Sequence, residues 1–184
     1  MLRKVYIRSI VSLGDSEPDL MGILTPIEAR RLGRLLKRAL WTSVKALEQA
    51  GCKEPDAIIT ATDYGCLENS LEFLKGVCEE EGATMRPVHF MQSTHNTIGS
   101  LIGIRLKCHG YNTTYSHRGK SMESALLDAW MQISMGDIDT ALVGWYDEAA
   151  GGISEDHALA MLLTSNPESA IREICPPFNL KEYA

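Results

Sequence analysis

Residues 57–62 read Ala-Ile-Ile-Thr-Ala-Thr, a short apolar run with no polar alternation. A strand with one wet face alternates apolar and polar side chains. A continuous run suits a strand buried on both faces. Such a strand needs a layer on each side, so the chain has to place helices over both faces of a sheet. The rest of the chain supplies those parts. Residues 4–13 are rich in β-branched types and read as a first strand. Tyr111 to Ser116 is a strand by residue type, and 139–146 and 157–164 are two more. Between them run helical patterns. Thr25 can cap, Pro26 fits the first helical position and Glu28 completes a capping box. Leu32, Leu36, Ala39, Leu40, Val44 and Leu47 then form one apolar stripe up to Gly51. Residues 66–81 carry Leu67, Leu71, Leu74 and Cys78 at helical spacing, with Gly82 beyond the end. Residues 96–107 and 120–135 are further helices, the last ended by Gly136. Residues 14–24 and 83–94 read as loops.

The last two strands fix one more feature. Asp147 to Asp156 is too short to hold a crossover helix, and parallel neighbours need a dozen or more residues between them. This pair must run antiparallel. The expected fold is α/β: a five-stranded, mostly parallel sheet with one antiparallel edge strand and helices on both faces. With 184 residues the chain suits one domain over 1–165. The tail 166–184, with Pro167, Pro176 and Pro177, reads as irregular.

Charge and motifs exclude several functions. A net charge of -6 argues against nucleic acid as a partner. No apolar run approaches a membrane span, and Met1 to Arg8 has no signal-peptide pattern. Five cysteines without a CxxC pair read as free thiols in a reducing cytoplasm. Phosphate-cradling, nucleophile-elbow and zinc motifs are absent, so no cofactor is expected. No metal site is expected either: His109 and His117 flank one strand from opposite ends, and no Cys or carboxylate joins them at ligand spacing. Cys66 follows Gly65 at a helix start, where a thiol pKa can be depressed, although free cysteine is more often simply buried. Arg30, Arg34, Lys37 and Lys45 share a helix face that reads as solvated.

The segment His95 to Glu148 carries a family likeness. A short helix (Ile98 to Cys108) leads to Gly110-Tyr111-Asn112, then to the strand Thr113 to Ser116. A tight turn opens the long helix Ser121 to Met135, which ends at Gly136. The strand Asp139 to Glu148 follows. Ala46-Leu47-Glu48-Gln49-Ala50-Gly51 closes the first long helix in a matching way, and Val5 to Gly14 matches an opening strand and loop. In order and spacing these pieces resemble the N-terminal half of a β-ketoacyl synthase, within the thiolase-like superfamily.

The resemblance implies a nucleophilic cysteine at the turn, and counting from Gly110-x-Asn112 that position is Gly119. No thiol lies nearby. The two catalytic histidines that the family draws from its C-terminal half are not among these 184 residues. Cys66, Ser116 and Ser121 remain as weak alternative nucleophiles. Adjacent strand residues point to opposite faces, so His117 is poorly placed to activate Ser116. The chain therefore resembles the chain-length-factor-like, short members that lack the cysteine. These accompany active ketosynthases in fatty-acid, polyketide and aryl-polyene biosynthesis. The expectation is a cytoplasmic pseudoenzyme, inactive alone, that dimerises with itself or with a ketosynthase and contacts an acyl carrier protein. In that family the strand here spanning Asn112, Thr113, Thr114, Tyr115 and Ser116 sits at the dimer two-fold. Two rivals are an acyl-transferring or thioester-cleaving enzyme with a relocated nucleophile, and a homodimeric interaction module.

Overall fold

The structure is a computed structural model that describes residues 2–14, 16–79, 87–149, 152 and 155–182. Its elements are β1 (Val5–Ser12), α1 (Pro26–Arg31), α2 (Arg34–Ala50), β2 (Ala57–Ala61), α3 (Leu67–Glu79), α4 (Pro87–Gln92), α5 (Thr97–Leu106), β3 (Tyr111–Tyr115), α6 (Ser121–Met135), β4 (Thr140–Asp147), β5 (His157–Thr164) and β6 (Arg172–Ile174). They form an α/β fold on one six-stranded sheet of order β3-β2-β4-β5-β1-β6. All five residues of β2 are buried. Ile58 packs with α2 and α5 on one face. Ala57, Ile59 and Ala61 pack with α6 on the other.

β2 pairs in parallel with β3 and β4, while β5 runs antiparallel to β4. The α/β class holds, but the structure corrects the expected five-stranded, mostly parallel sheet: it has six strands, and three of the five pairings are antiparallel. β5 is not an edge strand, because its other side pairs with β1. Its residues Ala158 to Thr164 are all buried, and an apolar strand of that kind gains most with neighbours on both sides. The tail is not wholly irregular either: β6 pairs with β1 through Val5–Ile174 and Ile7–Arg172 and covers what would be an open edge.

β1 changes faces midway. A register shift between Ile7 and Ser9 leaves Arg8 as an extra residue. Val5 and Ile7 pack in the α6 layer, whereas Val11 packs in the α2 layer. One inserted residue reverses which face the odd positions serve.

The capping box at Thr25 is present: Thr25 Oγ1 accepts from the Glu28 amide, and the Glu28 carboxylate accepts from the Thr25 amide at 2.7 Å. The single helix expected from Thr25 to Gly51 is two. Leu32 and Gly33 leave the helical conformation, and Gly33 becomes the N-cap of α2. Glycine is a poor helix residue. A Cβ on Gly33 would also lie 2.7 Å from Asn69 Nδ2, so this break sits where α3 packs closely. Residues 87–92, expected as loop, form α4; Pro87 starts it, where a missing N–H costs nothing. In α3 the expected apolar stripe is only partly covered: Leu67 and Leu71 are half-buried, but Leu74 is 53% exposed. Gly82 lies outside the described residues. The expected basic face is divided, since Arg30 lies on α1 and Arg34, Lys37 and Lys45 on α2; Arg34 is bonded to the half-buried Asp156, whereas the Lys45–Glu48 pair stays in solvent. Arg38, on the same helix, is buried and donates to the carbonyls of Leu13, Gly14 and Ser16, pinning the chain that leaves β1.

Candidate functional site

Parallel strands share an end, and open α/β sheets bind ligands beyond the carboxyl ends of their strands. At that end β2 runs into Thr62–Gly65, β3 into Ser116–Ser121 and β4 into Asp147–Glu148. Asp147, buried at the end of β4, holds the first loop. Its carboxylate accepts from Thr62 Oγ1 at 2.8 Å, the Tyr64 amide at 2.9 Å, the Asp63 amide at 3.0 Å and Trp145 Nε1 at 3.3 Å. Four donors to one carboxylate make it a structural anchor with little capacity left for a ligand.

Asp63 links that loop to the second turn. Its Oδ1 accepts from the Gly119 amide at 3.1 Å and from the Ser121 hydroxyl. Ser121 Oγ in turn accepts from the His117 amide at 2.8 Å. The turn itself closes with the Lys120 amide on His117 O at 2.7 Å. Arg118 and Gly119 both have positive φ, 34° and 76°, as a type I′ turn requires. A glycine accepts the second of these at no steric cost.

Two open cavities flank Asp63 and Tyr64. One, about 760 Å³, is lined also by Ser116, Arg118 and Gly119. The other, about 330 Å³, is lined also by Trp145, Asp147, Glu155 and His157. Trp145 and His157 stack with ring centroids 4.1 Å apart.

Gly119 lies on the cavity wall, and a Cβ there would meet nothing within 4 Å. Ser116 and Ser121 come to the same turn, but Ser121 is tied to Asp63 and to the His117 amide. His117 turns its ring to Ser124, Nδ1 to Oγ 3.1 Å, so it serves neither serine as a base. Cys66 does not fit the reactive-thiol alternative. It is 0% exposed. Burial, with the Glu148 charge beside it, pushes its thiol up to about 12. A helix start lowers a thiol pKa only where the thiolate is also solvated or paired. His109 is exposed at the far end of β3 from His117, and no group of three or more metal-ligating side chains occurs among the described residues. No helix of the described residues is long and apolar enough to cross a membrane.

Sequence reasoning missed Asp63, Asp147 and Glu148. Their one sequence mark, a carboxylate at or just past the end of a buried strand, is too common to single them out. Glu148 is 1% exposed. It accepts from the Glu68 amide at 2.8 Å, at the start of α3, and the Leu35 amide at the start of α2 also steadies it. Burial nevertheless dominates and raises its carboxyl above the ordinary range. As pH rises, the unfolded chain loses this proton first and the folded chain keeps it longer. The group's contribution is complete below the ordinary carboxyl pKa and declines as pH rises through the folded one. Thermal unfolding of Glu148→Gln and wild type should therefore diverge as pH rises through and above the ordinary carboxyl range, the wild type losing ground. A pH-independent difference would contradict this.

A family model described as β-ketoacyl synthase, N-terminal domain, matches residues 9–172. No curated protein sequence matches. Among solved structures, a chain of the complex of a ketosynthase, ApeO, with its chain length factor, ApeC, from Xenorhabdus doucetiae superposes with a TM-score of 0.73 at 19% identity, covering 88% of this chain and 79% of that one. A β-ketoacyl synthase from Burkholderia phymatum STM815 gives 0.72 at 13% identity, covering 91% and 60%. The AntDE:AntF complex, a type II polyketide acyl-carrier protein with its ketosynthase, gives 0.75 at 11% identity, covering 92% and 65%. This chain thus spans less than two thirds of the length of the latter two.

Proposed function

The chain belongs to the β-ketoacyl synthase N-terminal domain family, and we propose that it is a non-catalytic ketosynthase-like subunit that pairs with an active ketosynthase. The observation that carries this reading is the turn after β3. The family's nucleophile position, assigned by the resemblance, holds Gly119, with no thiol in the turn. The hydroxyl of Ser121, which closes that turn, is engaged on both its donor and acceptor sides. Covalent acyl transfer needs an activated nucleophile at that point. A subunit without one contributes surface and shape instead.

β3 supports pairing. It is an edge strand of the sheet, and among the described residues no strand pairs with its far side, which leaves an edge that another chain can join. The proposed partners are a thiol-bearing ketosynthase and, second, an acyl carrier protein, the combinations named for the structurally similar complexes. Sedimentation of the purified chain, alone and mixed with such a ketosynthase, tests the reading. A stable complex with the ketosynthase is expected. Monomers in every mixture at high concentration would overturn it.

A further inference from the structure

One cleft that shares no residue with the cavities at the strand ends combines an apolar floor with a cationic mouth. It lies between α1–α2 and α5 and encloses about 360 Å³, within the roughly 300–1,000 Å³ range of small-molecule sites. Leu24, Leu32, Leu40 and Leu101 form its floor. Ile104 stands at its lip, 76% exposed.

Four ionic side chains border the cleft: Glu28, Arg31, Arg105 and Lys107. Two are committed. Glu28 accepts from the Thr25 amide and hydroxyl at 2.7 and 2.8 Å and pairs with Arg105 Nη1 at 3.6 Å. Arg105 also donates to Ile23 O, which fixes that wall. Glu28 and Arg105 offset one another. The side chains of Arg31 and Lys107, both exposed, have no hydrogen bond or ion pair among the described residues. The mouth therefore has two uncompensated positive charges over an apolar floor.

We propose that this cleft binds a fatty carboxylate, its alkyl chain on the leucine floor and its carboxylate at Arg31 and Lys107. Burial of the chain supplies affinity. The two cations set orientation and reject an uncharged chain end. The proposal does not depend on the subunit role above, since no residue of the β3 edge takes part.

Calorimetric titration of the whole chain with decanoate and with decanol tests it. Decanoate should bind saturably at one site, and decanol about tenfold more weakly. The double variant Arg31→Gln/Lys107→Gln should bring decanoate down to the level of decanol. Ile104→Glu, at an exposed position, should remove binding of both with the thermal unfolding unchanged. The absence of saturable decanoate binding would overturn the proposal. Equal binding of the two probes, or decanoate binding indifferent to loss of both cations, would do the same. Should Ile104→Glu fail to fold, the double variant decides.

Discussion

Thr114→Pro should break the proposed complex with a ketosynthase while leaving this chain folded. The direction of the backbone in β3 makes this change selective. The Thr62 amide donates to Tyr115 O at 3.0 Å. Tyr115, and with it Thr113 and Tyr111, therefore turns its backbone groups towards β2, and the intervening Asn112 and Thr114 turn theirs to the open side. Proline at 114 removes an N–H that β2 does not use, and its ring blocks approach of a partner strand. Each lost ladder bond contributes about 1 kcal/mol. Only this chain of the proposed complex carries the change, so about 1 kcal/mol, or roughly fivefold in Kd, is a lower bound before the steric term. Sedimentation velocity of the variant mixed with the ketosynthase should show no complex, while loss of the Thr114 Oγ1 to Thr60 Oγ1 bond at 2.8 Å should lower the melting temperature only modestly. Thr113→Pro, by contrast, strikes the ladder to β2 and should lower stability. An unaltered complex with Thr114→Pro would remove this strand from the proposed interface.

Asp147→Ala should be the most damaging single change at the strand ends. It strands the amides of Asp63 and Tyr64 and the hydroxyl of Thr62 together. Buried donors left without partners cost about 1–3 kcal/mol each, and Tyr64, 44% exposed, lets water recover part of that. A loss of about 3 kcal/mol, or roughly 10 °C in melting temperature, is expected. Asp147→Asn keeps an acceptor oxygen and should lose about half as much. The consequence reaches the neighbouring turn, because Asp63 holds Gly119 and Ser121 from that loop. Scanning calorimetry of the two variants checks it; a change under about 1 kcal/mol for Asp147→Ala would mean the loop stands without its anchor.

What was legible in the sequence was local. The capping box at Thr25 names its own donors and acceptors within four residues. The run at 57–62 has one physical meaning, burial on both faces. The short link from β4 to β5 admits only an antiparallel pair. What was hidden depended on distant partners. Nothing near β5 says that β1 returns to its other side, and three residues of β6 carry no strand signal alone. The leucine stripe runs unbroken across Gly33, yet Asn69 of α3 occupies the space there. Arg38 looks like any surface arginine until the carbonyls of Leu13 and Gly14 surround it. At the candidate site, Gly119 could be placed by family likeness. The carboxylates of Asp63 and Asp147 could not, since a single Asp after a strand is ordinary in sequence and gains its role only when two loops meet.

The most direct test of a non-catalytic subunit is release of carbon dioxide from a malonyl-loaded carrier protein, with an acyl-loaded carrier present and this chain as the only synthase. A chain with Gly119 at the turn, Cys66 buried and Ser121 bound to Asp63 should give only the background rate. Adding a thiol-bearing ketosynthase should bring release above that background. Sustained release from this chain alone would contradict the account.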